Sequence, residues 1–359
     1  MSLNEEKLNT LLGHMVVELG AAVTGPLVII GDKLGLYRAL ANDGPMDAPT
    51  LSKATNTNER YIREWLSAQA ASGYIDYDTV TRQFSMSPEQ AAVFADQESP
   101  FLITGGYYSV ASTYHDEPKL VEAFKTGDGI AWDSHNGCLF CGVAKFFRPA
   151  YRAHLVQEWL PSLNGVDERL KTGGKVADVG CGYGISTVLM ARHYPNSTFV
   201  GYDIHEGSIR EARALAKKEN VANVTFEVST AKTYPGRDYD LVTFFDCLHD
   251  MGDPAGAAEH VYQSLSDGGT WMVVEPFAHD DLEHNLNPVG RVYYAFSTQV
   301  CTPTSLSQEV GTALGAQAGE KRLREIIEPA GFISVRRAAE TPFNVILEAR
   351  KQMKLRATA

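Results

Sequence analysis

From residue 173 onward the chain switches between two hydrophobic periods. Short apolar runs at 176–179, 198–203, 224–228, 240–245 and 271–275 predict strands. The segments between them, near 185–193, 208–218 and 254–265, carry helical spacing. Such alternation predicts a doubly wound parallel sheet, with its ligand crevice at the carboxyl ends of the strands. A helix near 321–330 and apolar runs at 333–337 and 344–348 follow. The stretch 277–319 is too long for an ordinary connection and carries Arg291, Tyr293, Tyr294, Phe296 and Cys301. It predicts an inserted cap, helical in part.

The first 95 residues read differently. Pro26 can open a helix that runs toward Gly35, and a short helix follows around 50–54. Asn58 begins a longer one, with Tyr61, Ile62, Trp65 and Leu66 on one face and Gly73 as its stop. Residues 74–77 and 82–86 alternate as two short antiparallel strands. Helix, helix, longer helix and hairpin predict a winged-helix module. Between the two regions, 96–172 is mostly helical and rich in aromatics, with turn signals at 127–129 and 135–137.

A chain of 359 residues suits two domains, and 44% hydrophobic with 21% charged residues is a globular composition. The net charge of −12 argues against tight nucleic-acid binding. Residues 1–100 alone carry seven Lys/Arg and thirteen Asp/Glu, 7 − 13 = −6, the wrong sign for a DNA footprint. The apolar stretch 15–30 is broken by Glu18, Gly20, Gly25 and Pro26, so neither a signal peptide nor a membrane span is expected. Five cysteines point to a reduced, cytoplasmic setting. The lone pair Cys138 and Cys141 lacks a second pair or a histidine set, which favours packed thiols over a metal site.

The chemistry concentrates at strand ends. The first sheet strand runs into Asp178-Val179-Gly180-Cys181-Gly182-Tyr183-Gly184, and the second ends at Asp203. This is a tight backbone turn before a crossover helix, with a carboxylate placed for two ribose hydroxyls. A dinucleotide fingerprint would put its third glycine at 185, where the chain has Ile185, which disfavours a nicotinamide-dependent oxidoreductase. Asp178 suits a ligand that carries an ammonium group.

Together these residues resemble motif I of the class I S-adenosylmethionine-dependent methyltransferases. The turn Asp246-Cys247-Leu248-His249-Asp250-Met251-Gly252-Asp253 further resembles that of the small-molecule O-methyltransferases of the caffeate and polyketide type, with Met251 where they usually have tryptophan. The resemblance implies an α/β fold: a Rossmann-like, seven-stranded, mostly parallel sheet whose last strand is antiparallel, behind a winged helix. It implies domains at 1–95 (winged-helix dimerisation), 96–172 (helical linker at the substrate) and 173–359, with the cap at 277–319. His249 is then the general base, with Glu275 and Glu320 flanking it. S-adenosyl-L-methionine lies against Asp178, Gly180, Gly182, Gly184, Asp203, Ile204, Thr230, Ala231 and Asp246, and leaves as S-adenosyl-L-homocysteine. No metal is expected. The partners implied are a small-molecule acceptor and a second copy of the chain in a homodimer, with neither membrane nor nucleic acid. A ligand-sensing, DNA-binding regulator is the alternative that the winged helix invites.

Overall fold

Polar caps start the helices of the N-terminal region. Asn58 accepts from the Arg60 N–H and opens helix Glu59–Ala71, while Ser87 and Gln90 cap helix Pro88–Phe94 reciprocally. The computed structural model describes residues 3–353. They form two compact units: one from the residues up to Tyr114 with Gly137–Pro149, the other from His115–Asn136 with the chain from Ala150 onward.

In the first unit, helices Leu36–Asp43, Ala48–Thr55 and Glu59–Ala71 precede a hairpin of β1 (Asp76–Tyr77) and β2 (Phe84–Ser85). Val28, Leu36, Leu51, Ile62, Trp65 and Leu66 share its core. Tyr61, expected on the same face, is 79% exposed, because one turn of helix cannot bury four adjacent large side chains on a single stripe. Pro26 does not open a helix. It lies inside Glu5–Leu34, a 30-residue helix that ends as expected at the left-handed Gly35. Proline removes only one internal hydrogen bond, and packing of the turns around Val28 holds the helix on both sides of it. By length and composition alone this helix would be able to cross a membrane, a test that core helices of water-soluble folds also pass. Its earlier turns leave Leu11, Leu12, Met15, Val16, Val17 and Leu19 exposed.

The second unit is built on β3 (Lys175–Val179), β4 (Thr198–Asp203), β5 (Val224–Val228), β6 (Tyr239–Phe245), β7 (Leu265–Pro276), β8 (Ser334–Glu340) and β9 (Asn344–Arg350). Their order is β5-β4-β3-β6-β7-β9-β8, and β9 runs opposite to the other six strands. The central strands are apolar at consecutive positions because helices cover both faces of a parallel sheet. Phe244 and Trp271 meet edge to face at 5.0 Å, and each contributes roughly 1.5–3 kcal/mol of burial as an upper bound.

The order reverses between β3 and β4 on one side and β6 on the other, which opens the crevice where β3, β4, β6 and β7 end. The 277–319 stretch is helical in part: Pro288–Phe296, a widened π-type turn at Ser297–Cys301, and Thr302–Leu306. Hydrogen bonds pin it to the turn after β6, among them one from the Thr312 N–H to the Gly252 carbonyl at 2.8 Å. Ser305 Oγ donates to the Met251 carbonyl (2.8 Å), Gln308 Nε2 to the Asp250 carbonyl (2.8 Å), and Gln308 Oε1 accepts from the Gly252 N–H (3.0 Å).

Candidate active site

The glycine turn after β3 is held from behind. Gly180 and Cys181 both donate their N–H groups to the Tyr202 carbonyl of β4, at 2.8 and 3.0 Å. Gly180 adopts φ 74, and a Cβ there would sit 2.6 Å from Cys247 Sγ; at Gly184, φ 72, it would meet Phe226 at 2.7 Å. Both positions therefore exclude a side chain twice over.

Asp203 ends β4 with its carboxylate astride the turn. Oδ2 accepts from the Gly182 N–H (2.9 Å) and Oδ1 from the His205 N–H (2.8 Å). Each oxygen keeps a further lone pair, the donor-free arrangement that two ribose hydroxyls require. Burial raises the pKa of this carboxyl, and the two backbone N–H groups draw it back. Beside it, Ile204 is 50% exposed and apolar. Thr230, exposed, shares a hydroxyl contact with Thr233 at 2.7 Å, and Ala231 is half-buried.

Two acids depart from what the sequence suggests. The sequence places Asp178 for an ammonium group, yet its side chain has no exposed surface. Ser186 and Thr187 donate to its Oδ2 at 2.8 and 2.6 Å, and Thr243 to Oδ1 at 3.0 Å. Its role in this arrangement is to tie β3 to the first turn of helix Ile185–His193 and to β6. Burial pushes its pKa up to about 6 against the pull of the three hydroxyls. Asp246 takes a left-handed φ of 50 after β6. Its Oδ2 accepts from Tyr151 Oη (3.0 Å) and its Oδ1 from Asn344 Nδ2 (2.7 Å). Burial first, then the Glu275 charge, pushes it up to about 8, so the carboxyl stays protonated at neutral pH.

His249 is buried in the turn after β6, and Glu275 reaches it from β7. Glu275 Oε2 lies 2.5 Å from His249 Nδ1, while Oε1 accepts from the Leu248 N–H at 2.9 Å. That second bond fixes the carboxylate, so the imidazole is held in one orientation. On the other side, Nε2 faces Asp250 Oδ1 at 3.3 Å. Burial alone would lower the His249 pKa, but the Glu275 and Asp250 charges outweigh it and hold the imidazole well above its ordinary value.

Glu320 does not join this group. Its Oε1 pairs with Arg324 (2.6 Å) and its Oε2 with Arg337 (2.6 Å), which keeps its pKa below the usual range despite partial burial. The acid at a helix start found two guanidinium groups on its own side of the fold, and the second carboxylate at His249 is Asp250 instead. Sequence reasoning also missed Cys301. It stands in the same cluster, the ligand atoms of His249, Asp250 and Cys301 all lying within 4.8 Å of one another. Asp250 was adjacent to His249 in the motif and could have been found; nothing in the sequence around Cys301 marked it. A second histidine–carboxylate pair, His135 Nδ1 with Asp116 Oδ2 at 3.0 Å, lies in the same unit and brings its Nε2 to 3.4 Å from Thr304 Oγ1.

Comparison with known proteins agrees with this construction. Residues 170–331 match a methyltransferase domain family, and residues 22–96 match an Rv2258c-like winged HTH domain. The ubiquinone biosynthesis O-methyltransferase of Acinetobacter baylyi is 28% identical over 158 residues, which are 43% of this chain and 60% of that protein. The chain thus spans little more than half the length of the curated relatives it matches. Human N-acetylserotonin methyltransferase, solved in complex with S-adenosylmethionine, superposes with a TM-score of 0.69 at 17% identity, over 98% of this chain and 100% of that one. An O-methyltransferase family protein from Burkholderia thailandensis gives 0.67 at 15% identity, over 99% and 100%. Residues 170–331 are thus similar to a methyltransferase domain, and the sheet has the order of the class I methyltransferase fold. The chain joins this region to an N-terminal winged-helix domain of the Rv2258c-like type.

Proposed function

We propose that the protein transfers a methyl group from S-adenosyl-L-methionine to an oxygen of a small, apolar acceptor, with His249 as general base. The single observation that carries this reading is the fixed Glu275–His249 pair in the turn after β6, at the crevice of a methyltransferase domain. When bound, the sulfonium supplies an already activated methyl group whose bond to sulfur breaks as the bond to the acceptor oxygen forms. The chain's own work is then alignment, which contributes ~7–11 kcal/mol of barrier lowering when the reacting atoms are held in line. His249 takes the acceptor's proton at Nε2, for which it must displace Asp250 and be neutral.

Asp203 and Ile204 hold the ribose and the adenine face, with Thr230 and Ala231 at the far edge. Gly180, Gly182 and Gly184 let the backbone approach the amino-acid end. Asp178 and Asp246 support this surface from beneath. The stretches 127–136 and 277–319 enclose the acceptor, and Met251 in place of tryptophan widens the wall beside the base. Two chains pair through the exposed apolar turns of Glu5–Leu34, whose contiguous Leu and Val side chains are the mark of a protein interface. The regulator alternative is not favoured, since the winged-helix region is acidic where a DNA surface is basic.

Calorimetric titration with S-adenosylhomocysteine, beside Asp203→Ala, tests the cofactor; a phenolic acceptor panel with His249→Ala tests the chemistry. Micromolar binding that Asp203→Ala abolishes supports the reading. Absence of binding to folded protein overturns it.

A further inference from the structure

His249 stands between two carboxyl groups. Glu275 holds Nδ1, Asp250 Oδ1 stands 3.3 Å from Nε2, and this Oδ1 is buried without a hydrogen-bond partner. A buried carboxylate oxygen needs a hydrogen bond or a cation beside it, and here the imidazole Nε2 at 3.3 Å is its charged neighbour. Across from it stands the buried Cys301, with Sγ, Nε2 and the Asp250 oxygen within 4.8 Å of one another. Cys301 closes the π-type turn Ser297–Cys301, a local widening that occurs often at functional sites. The helix after it is bonded to the very turn that carries His249 and Asp250, through Ser305 and Gln308. The three donors are therefore held in one frame.

Imidazole nitrogen, carboxylate oxygen and thiolate sulfur form a donor set that suits zinc and its neighbours and disfavours magnesium or calcium, which prefer oxygen alone. A carboxylate on the remote imidazole nitrogen, here Glu275, is the usual outer partner of a metal-binding histidine. We propose that His249 Nε2, the Asp250 carboxylate and Cys301 Sγ form a binding site for a divalent transition metal ion of the zinc type, with a fourth position left for water. On binding, Cys301 gives up its S–H proton and His249 its Nε2 proton, both to solvent. The two charges of the ion replace the two protons given up, so the net charge of the cluster is unchanged while the Asp250 carboxylate gains a metal partner. Because the ion and the acceptor's proton need the same Nε2 lone pair, occupancy blocks the base. That consequence rests on the methyl-transfer reading; the metal site itself does not.

The test is optical and needs no activity. The full chain, purified in chelator and then freed of it, is titrated with Co²⁺. The expected result is an intense ultraviolet thiolate-to-cobalt charge-transfer band with the visible bands of a tetrahedral site, both lost on addition of one equivalent of Zn²⁺. Cys301→Ser abolishes the charge-transfer band, whereas the double variant Cys138→Ser/Cys141→Ser retains it. Glu275→Gln keeps the band but weakens affinity ~10–100-fold, the usual effect of losing an outer partner. Absence of the band in wild-type protein with native circular dichroism overturns the proposal. So does a band that survives Cys301→Ser. Cofactor titration run on the same sample keeps this failure distinct from failure of the methyltransferase reading.

Discussion

The two ends of the crevice are built on opposite principles. At the cofactor end, every carboxylate that matters has its hydrogen bonds made by groups close in the chain or on the next strand. Asp178 takes three hydroxyls, two of them eight and nine residues away, and Asp203 takes the Gly182 and His205 N–H groups. At the acceptor end, His249, Glu275, Asp250 and Cys301 come from three distant segments and leave Asp250 Oδ1 with the imidazole beside it but no hydrogen bond. A binding surface that must recognise one constant molecule can be finished in advance. One that must move a proton keeps charge unbalanced, and burial then spreads the pKa values of its members apart.

His249→Ala should separate the two ends most sharply. We expect kcat for an accepted substrate to fall ~10²–10⁴-fold, the usual contribution of a positioned base, with S-adenosylhomocysteine affinity unchanged. A fall of less than threefold would remove His249 from the chemistry. Asp203→Ala acts on the opposite end: two charge-assisted bonds to ribose are worth ~1.5–3 kcal/mol each, so cofactor affinity should drop at least ~10-fold. Steady-state kinetics should place that loss in the KM for the methyl donor. Gly184→Ala tests how finished the cofactor end is. The added Cβ meets Phe226 at 2.7 Å and Ala212 at 2.8 Å from a left-handed backbone, so destabilisation of ~1–3 kcal/mol in denaturant unfolding is expected.

The pH dependence sharpens the contrast further. With the His249 pKa raised by Glu275 and Asp250, the neutral base is scarce at pH 7, so the rate should rise with pH beyond neutrality. Glu275→Gln removes one of those charges and should move the rising limb toward lower pH; an unmoved limb would assign it to another group. For stability the signs differ by group. A raised imidazole pKa adds stability that is present below the unfolded value and lost as pH climbs through the folded one. A raised carboxyl pKa does the reverse of a salt-bridged acid: the native state keeps a proton that the unfolded chain has lost. Asp246, pushed up to about 8, therefore makes stability fall between the unfolded carboxyl range and that pH. Asp246→Asn cannot ionise and can still bond Tyr151 and Asn344, so its stability curve over that window should be shallower. An unchanged slope would show that Asp246 is ionised in the native protein.

Much of the first end could be read from the sequence. The Gly180–Gly184 spacing, the run into Asp203 and the helix from 185 to 193 are local patterns. A tight turn needs its glycines wherever it occurs, and a parallel strand buried on both faces must be apolar throughout. His249 and Glu275 were marked out by the family resemblance of the turn after β6 and of the end of β7, and the structure brings the two side chains together. Tyr61 and Pro26 misled because exposure and helix continuity depend on what packs against a turn, which periodicity alone does not record. Glu320 misled because a carboxylate pairs with the nearest cation in space, and Arg337 is seventeen residues away on β8.

By itself, then, the sequence determined the order of strands and helices, the glycine turn and the two members of the buried histidine–carboxylate pair. Those features follow from backbone geometry and side-chain period, which act over a few residues. Tertiary structure alone decided that Asp178 would be sealed beneath the turn, that Asp250 rather than Glu320 would face Nε2, and that Cys301 would complete the cluster. Such choices are settled by burial and electrostatics between segments, and a residue's neighbours across a fold are not written in its neighbours along the chain.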